Sequence, residues 1–174
     1  MRFGGLRAVY VLYLCLLLLI VAESMMGRQW TNEDRGFCWF DTSIDVVPSS
    51  QCFLDPWSFT HVSQGLVYWI LISFLSPSST NNNKWNRVVG MILWSTSWEL
   101  FENSPFGIRR YNDPRYIGDT LVNSIMDVVV ATCSCVMAYW IGDRRINVGL
   151  YLAMEAYCFL VFHMSFIGQL QILF

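Results

Sequence analysis

Charge is what this chain has least of. Only 14% of its 174 residues are charged, against about a quarter in an ordinary soluble domain. It has no basic excess either, with 11 Lys and Arg set against 13 Asp and Glu for a formal net charge of −2. Without a basic stripe to displace counterions from phosphates, nucleic acid is excluded as a partner. Histidine is scarce, at 2 residues. The sequence contains no nucleotide-binding loop, no Gly-x-Ser-x-Gly elbow and no His-Glu-x-x-His pair, which removes the commonest hydrolase and nucleotide-enzyme signatures. The 6 cysteines lack zinc-ligand spacing. Cys133 and Cys135 stand one residue apart in an apolar run, where thiols act as small packing groups.

What is abundant is apolar surface. Hydrophobic residues make up 55% and aromatics 16%, with a mean hydropathy of +0.41. A chain of this length forms one domain, and the composition predicts an all-α polytopic membrane helix bundle of about five transmembrane helices. Residues 1–24 form the first helix or signal anchor, 25–55 an extramembrane loop, and 56–174 a four-helix membrane core.

The first apolar run, AVYVLYLCLLLLIVA (8–22), follows Arg2 and Arg7. Ala22-Glu23-Ser24 offers small residues where a signal peptidase reads, so the segment is either a signal peptide or, as we favour, a retained span. The loop that follows carries five acidic residues from Glu33 to Asp55 and two cysteines, Cys38 and Cys52. These pair as a disulfide in an oxidising compartment and stay as two thiols otherwise.

Asp55 suits an N-cap and Pro56 the first helical position, predicting a second helix over 57–75. The polar turn SPSSTNNNKWN precedes a third helix, from about 85 to 103, which Pro105 stops at Ser104. After PFGIRRYNDPRYIG, a fourth helix runs over 119–141 and a fifth over 147–167. Trp57, Trp85, Trp98 and Trp140 fall near helix ends, as an interfacial belt requires. With the N-terminus cytosolic, that side carries Arg2, Arg7, Lys84, Arg87, Arg144 and Arg145, and the other Arg28, Arg35, Arg109, Arg110 and Arg115. The short turns then follow the positive-inside rule, and we take this orientation.

The polar residues within these helices share a depth. His61 and Gln64 open the second helix, Glu99, Glu102 and Asn103 close the third, and Asp119 and Asn123 open the fourth, with Asp127 one turn deeper. At about 1.5 Å rise per residue, all but Asp127 fall within roughly 10 Å of one membrane face in an up-and-down bundle. They also share faces: Glu99, Glu102 and Asn103 at i, i+3 and i+4, and Asp119, Asn123 and Asp127 at i, i+4 and i+8. A charge facing lipid costs at least about 2.5 kcal/mol, so the stripes are expected to face one another, with Glu155 completing the group from the fifth helix and Arg109 and Arg110 at its mouth.

Each residue also has a structural role open to it. Asp119 serves as a helix cap, Asn103 satisfies its own helix end, and Glu102 pairs with Arg109 or Arg110. Glu155 can be a protonated, hydrogen-bonded carboxyl and His61 a satisfied polar residue. The coincidence of depth and face favours a polar pocket, and a purely structural hydrogen-bond network is the alternative.

Three blocks, SQCFLDPWSFTHVSQGLVYW (50–69), WELFENSPFGIRRY (98–111) and YIGDTLVNSIMDVVVA (116–131), resemble a bacterial family of uncharacterised small multi-pass membrane proteins, a domain-of-unknown-function family with distant similarity to VanZ-like proteins. The resemblance implies a membrane fold and a shared polar site, and no reaction. The chain departs from the family pattern at Cys52 and Gln64, where histidines are expected, and at FHMSF near the C-terminus, where the family shows Arg-Asp-Asn. A histidine-rich metal site is therefore not expected.

Three functions fit. The preferred one is a non-enzymatic integral membrane protein whose pocket binds a lipid headgroup, an ion or a partner subunit, with Arg109 and Arg110 suited to an anionic lipid. The second is an intramembrane enzyme acting on a lipid or lipid-linked substrate. There His61 with Glu99 or Glu102 does acid–base work, and Asp119 and Asp127 hold a divalent cation such as Mg²⁺ or Mn²⁺. The third is proton- or cation-coupled transport, for which the chain is small.

Overall fold

The computed structural model describes residues 2–32, 36–43, 50–75, 81–111 and 115–169. Glu33, Asp34, Arg35, Asp45, the 76–80 part of the polar turn and the tail beyond 169 lie outside the described residues. The described residues form α1 (Arg2–Met25), α2 (Pro56–Leu75), α3 (Asn81–Glu102), the short α4 (Pro105–Ile108), α5 (Leu121–Ile141), α6 (Arg144–Phe162) and the short α7 (Phe166–Gln169). Among the described residues the architecture is all-helical, with isolated β-bridges joining Asn32 to Gly36 and Phe40 to Leu54.

Among the described residues four helices are long and apolar enough to cross a membrane: α1 from Gly4, α2, α5 and α6. The remaining expected span, α3, has 22 residues but opens on an Asn run with Lys84 and Arg87 and closes on Glu99 and Glu102. Composition alone does not qualify it, yet packing places it within the bundle. Helix α5 lies between α2 and α3, α1 covers α3, and α6 leans on α2.

Local chemistry sets these boundaries. Asp55 starts α2 through a reciprocal capping pair: its Oδ1 accepts the Ser58 N–H at 2.8 Å, and Ser58 Oγ accepts the Asp55 N–H at 3.2 Å. Helix α3 begins at Asn81, earlier than the sequence suggests, because its first turns pack on α1. Gly4 fits against the Trp85 ring where a Cβ would meet Cδ1 at 2.7 Å, and Arg7 Nη1 donates to Asn86 Oδ1 at 3.4 Å. Gly65 brings α2 close to α5, since a Cβ there would collide with the Ala131 carbonyl, and Ser134 Oγ donates to the Val62 carbonyl at 2.7 Å beside it.

The fifth expected helix runs from 144 to 162 instead of 147 to 167. Asp143 caps it by accepting from the Arg145 and Ile146 N–H groups, and His163 ends it in the left-handed conformation at φ 56°. The chain then turns back, and Glu155 Oε1 accepts the Phe166 N–H at 3.3 Å.

The shared core joins Ala8 and Cys15 of α1, Leu66 and Trp69 of α2, Met91 and Ile92 of α3, and Ala131 and Cys135 of α5. The outer faces of α1 and α6 instead expose Leu6, Val9, Tyr10, Leu152, Phe159 and Leu160. Apolar surface of that kind on helices of spanning length suits a bilayer.

Candidate functional site

The C-terminal ends of α1 and α3 and the N-terminal ends of α2 and α5 meet at one end of the bundle. Chain segments on either side bind them together. The carbonyls of Gln29 and Trp30, just after α1, accept the Leu121 and Val122 N–H groups at 2.9 and 3.4 Å. These are first-turn donors of α5 that no intrahelical partner can satisfy. The described segments 38–43 and 50–54, together the strap, are joined by a Cys38–Cys52 disulfide with Cα atoms 4.9 Å apart. They are laced by Phe53 N–H to Cys38 O at 2.9 Å and Leu54 N–H to Trp39 O at 3.0 Å. The Ser50 carbonyl in the strap accepts the Thr120 N–H at 3.1 Å, and the Cys52 carbonyl accepts from Asn123 Nδ2 at 2.9 Å.

Among the described residues six carboxylates are buried: Glu23, Asp55, Glu99, Glu102, Asp119 and Asp127. Most are held by a donor. Tyr116 OH donates to Asp119 Oδ1 at 2.8 Å, and Asn103 Nδ2 donates to Asp119 Oδ2 at 3.1 Å. Asn103 Oδ1 accepts the Asp119 N–H at 2.7 Å, so one amide joins the end of α3 to the start of α5. Tyr111 OH donates to Glu102 Oε1. Ser58 Oγ bridges Asp55 Oδ1 at 3.2 Å and Asp127 Oδ1 at 3.0 Å.

Glu99 is different. It is fully buried, and among the described residues neither carboxylate oxygen has a hydrogen-bond donor. Its Oε1 lies 3.7 Å from His61 Nδ1. That nitrogen also lies 3.2 Å from Gln64 Oε1, while Nε2, on the other side of the ring, faces Asp127 Oδ2 at 3.6 Å. Two sets of ligand atoms lie within 4.8 Å of one another: His61, Glu99 and Asp127, and Glu99, Glu102 and Asp119. Beside them is a cavity of about 10 Å³ lined by Ser50, Trp57, His61, Glu102, Tyr111, Asp119, Asn123 and Asp127. That is room for a single water-sized sphere.

At the rim, where the chain leaves the helices, burial dominates the titration of the acids. It pushes Asp55 up to about 6, against hydrogen bonds from Ser58 and Asn123. Asp119 is raised by the same cause, opposed by Tyr116, Asn103, Ser50 and the Arg28 guanidinium. Burial first, then the neighbouring carboxylates, holds the Tyr111 and Tyr116 hydroxyls well above the usual phenol range, so both remain donors.

Of the residues singled out from sequence, His61, Gln64, Glu99, Glu102, Asn103, Asp119, Asn123 and Asp127 are all buried at this end of the bundle. The structure does not bring Arg109, Arg110 or Glu155 to it. Arg109 and Arg110 are exposed, Arg110 lies over the Phe106 ring at 5.0 Å, and Tyr111 holds Glu102 instead. Glu155 is spent on the α7 turn. Asp119 does not cap α5. Thr120 does, with its hydroxyl accepting the Asn123 N–H at 3.4 Å, because Gly118 at φ +101° turns the Asp119 side chain inward to Tyr116 and Asn103.

Sequence reasoning missed Glu23, Arg28, Tyr111 and Tyr116, and read Asp55 as a cap alone. The signal for Glu23 was there: a lone carboxylate ending a long apolar helix needs a buried partner. Glu23 sits beside Ser124, Asp119, Glu102 and the guanidinium of Arg28.

The chain matches the family described as "Protein of unknown function (DUF2585)" over residues 23–170. It is 29% identical over 120 residues to a UPF0314 protein of Brucella anthropi, covering 67% of this chain and 59% of that one. It is 34% identical over 121 residues to a UPF0314 protein of Agrobacterium fabrum (66% and 58%) and 26% identical over 140 residues to one of Rhizobium meliloti (76% and 69%). The chain thus spans less than two thirds of the length of the first two. No solved structure matches it. A likeness to VanZ-like proteins is not among what these matches show. With its family match covering most of its length, the chain belongs to the DUF2585 family.

Proposed function

We propose that this chain is a multi-pass integral membrane protein that binds a small cation in the acidic cluster at one membrane face. Four apolar helices of spanning length support the membrane reading. One observation carries the cation: Glu99, fully buried among carboxylates, has no donor for either oxygen. A carboxylate in that position is destabilising by several kcal/mol unless a proton or a positive ion compensates it. Size weighs against a lipid headgroup, because the cavity of about 10 Å³ beside the cluster admits no phosphate ester. Oxygen-rich ligands with one imidazole suit Mg²⁺ or Mn²⁺.

The Cys38–Cys52 strap and the acidic cluster share one end of the bundle. A disulfide needs an oxidising compartment, and with the N-terminus cytosolic this end faces the bacterial periplasm. The test is thermal unfolding of the full chain in detergent with chelator, Na⁺, Mg²⁺ or Mn²⁺. A divalent-specific rise in Tm that Glu99→Gln abolishes is expected. Identical Tm values in all four conditions would overturn the reading.

An apolar cleft of about 200 Å³ lined by Phe40, Leu54, Asp55, Ser58, Phe59, Val62 and Val130 favours a second reading, a cation-dependent enzyme acting on a lipid. The cleft shares Asp55 and Ser58 with the acidic cluster and has room for part of an acyl chain. Cross-linking by a photoreactive fatty-acyl phospholipid at Phe59 or Val62, lost when those positions are made Trp, would support it. Labelling spread evenly over the outer helix faces would rule it out.

A further inference from the structure

We propose that the acidic cluster is a two-ion site in which Glu99 bridges a pair of divalent cations, one held by His61 and Asp127 and the other by Glu102 and Asp119. The inference rests on the cation-binding reading above and deepens it. Glu99 belongs to both sets of mutually close ligand atoms, those with His61 and Asp127 and those with Glu102 and Asp119. A carboxylate shared by two ligand sets, with one oxygen free for each, can bridge metal ions about 3.5–4 Å apart.

The donors around the cluster fit this division. The outer carboxylates are each steadied by a protein group: Asp127 by Ser58, Asp119 by Tyr116 and Asn103, and Glu102 by Tyr111. Such outer contacts orient ligands toward a metal. Glu99, central to both sets, has none. In the tautomer that donates Nδ1–H to Gln64 Oε1, 3.2 Å away, Nε2 of His61 is the ligand atom, facing Asp127 Oδ2 at 3.6 Å. Cis ligands on an ion with bonds of about 2.1 Å stand roughly 3.0–3.4 Å apart, so the pair closes on an ion with a shift of a few tenths of an ångström.

Charge points the same way. The six buried carboxylates carry up to six negative charges, and Arg28 stands beside two of them, Glu23 and Asp119. One divalent ion leaves most of that charge uncompensated, whereas two bring the cluster close to neutral. Glu23 lies beside Asp119 and Glu102 and so adds a carboxyl group to the second ion's side.

The test uses the full chain purified in detergent, stripped with chelator and titrated with Mn²⁺, with bound metal counted per chain and its spin state read by electron paramagnetic resonance. Wild type is expected to take two Mn²⁺ per chain with an exchange-coupled spectrum. Glu102→Gln should keep one ion with an isolated six-line spectrum, and Glu155→Gln, outside the cluster, should keep two. Glu99→Gln should lose the coupled signal altogether. A single uncoupled Mn²⁺ in wild type overturns the two-ion site and leaves the cation-binding reading standing, while no bound Mn²⁺ overturns both. The wild-type count decides the matter even where a variant fails to fold.

Discussion

Asn103 at the end of α3 and Asp119 just before α5 hold each other by two hydrogen bonds, Asp119 N–H to Asn103 Oδ1 at 2.7 Å and Asn103 Nδ2 to Asp119 Oδ2 at 3.1 Å. The same amide reaches Ser124 Oγ at 3.1 Å and the Glu99 carbonyl at 3.3 Å. One side chain thus fixes the separation of two helices and the position of a candidate ligand. Asn103→Ala leaves the buried Asp119 N–H without its acceptor, and the expected loss is about 2–4 kcal/mol. Chemical unfolding in detergent measures it. A loss within about 0.5 kcal/mol would mean the two helices are held by packing alone.

Gln64 acts on the site through His61. Gln64→Leu removes the acceptor that selects the Nε2 lone pair, and Mn²⁺ affinity should fall by about 10- to 100-fold, with the fold retained by circular dichroism. Unchanged affinity would show that the imidazole takes no part in holding the ion.

Asp55 gives a pH prediction with a definite sign. Its carboxyl is raised from an ordinary value near 3.8 to about 6 by burial. A raised acid favours the folded state most while protonated. Its stabilising effect is therefore full below about pH 4 and is lost as pH rises through about 6. Asp55→Asn keeps a good N-cap for α2 while removing the charge. Chelator-treated wild type should lose more Tm between pH 4 and 7 than Asp55→Asn does. Parallel curves would show that Asp55 titrates normally.

Two glycines separate packing from helix propensity. Gly65 stands where a Cβ would strike the Ala131 carbonyl, whereas a Cβ at Gly149 meets nothing within 4 Å. Gly65→Ala should destabilise by about 1–3 kcal/mol. Gly149→Ala should be neutral or stabilise by up to about 1 kcal/mol. Equal effects at the two positions would contradict the close α2–α5 contact.

Much of this arrangement was legible in the sequence, for reasons specific to each element. Asp55-Pro56 announces the start of α2 because a cap and a fixed φ act locally. The convergence of His61, Glu99, Asn103, Asn123 and Asp127 follows from depth and helical face alone. What stayed hidden depends on long-range contacts. Asp119 yields the cap to Thr120 because Tyr116 and Asn103 compete for it. Helix α6 stops at Phe162 because the chain turns at His163 and Glu155 holds the returning segment. Arg109 and Arg110 looked like partners for Glu102 on charge, but a neutral phenol from Tyr111 fills that role. Glu23 was legible as an anomaly, and its partners, on α3 and around the start of α5, were not.

The most direct measurement is a structure of the full chain grown with Mn²⁺, examined for anomalous scattering at the end of the bundle. The account predicts an anomalous peak within about 2.0–2.3 Å of Glu99 and His61 Nε2 or Asp127, with a second on the Glu102–Asp119 side. Ordered side chains with no anomalous peak, and Glu99 hydrogen-bonded as a neutral acid to a neighbouring carboxyl, would contradict it.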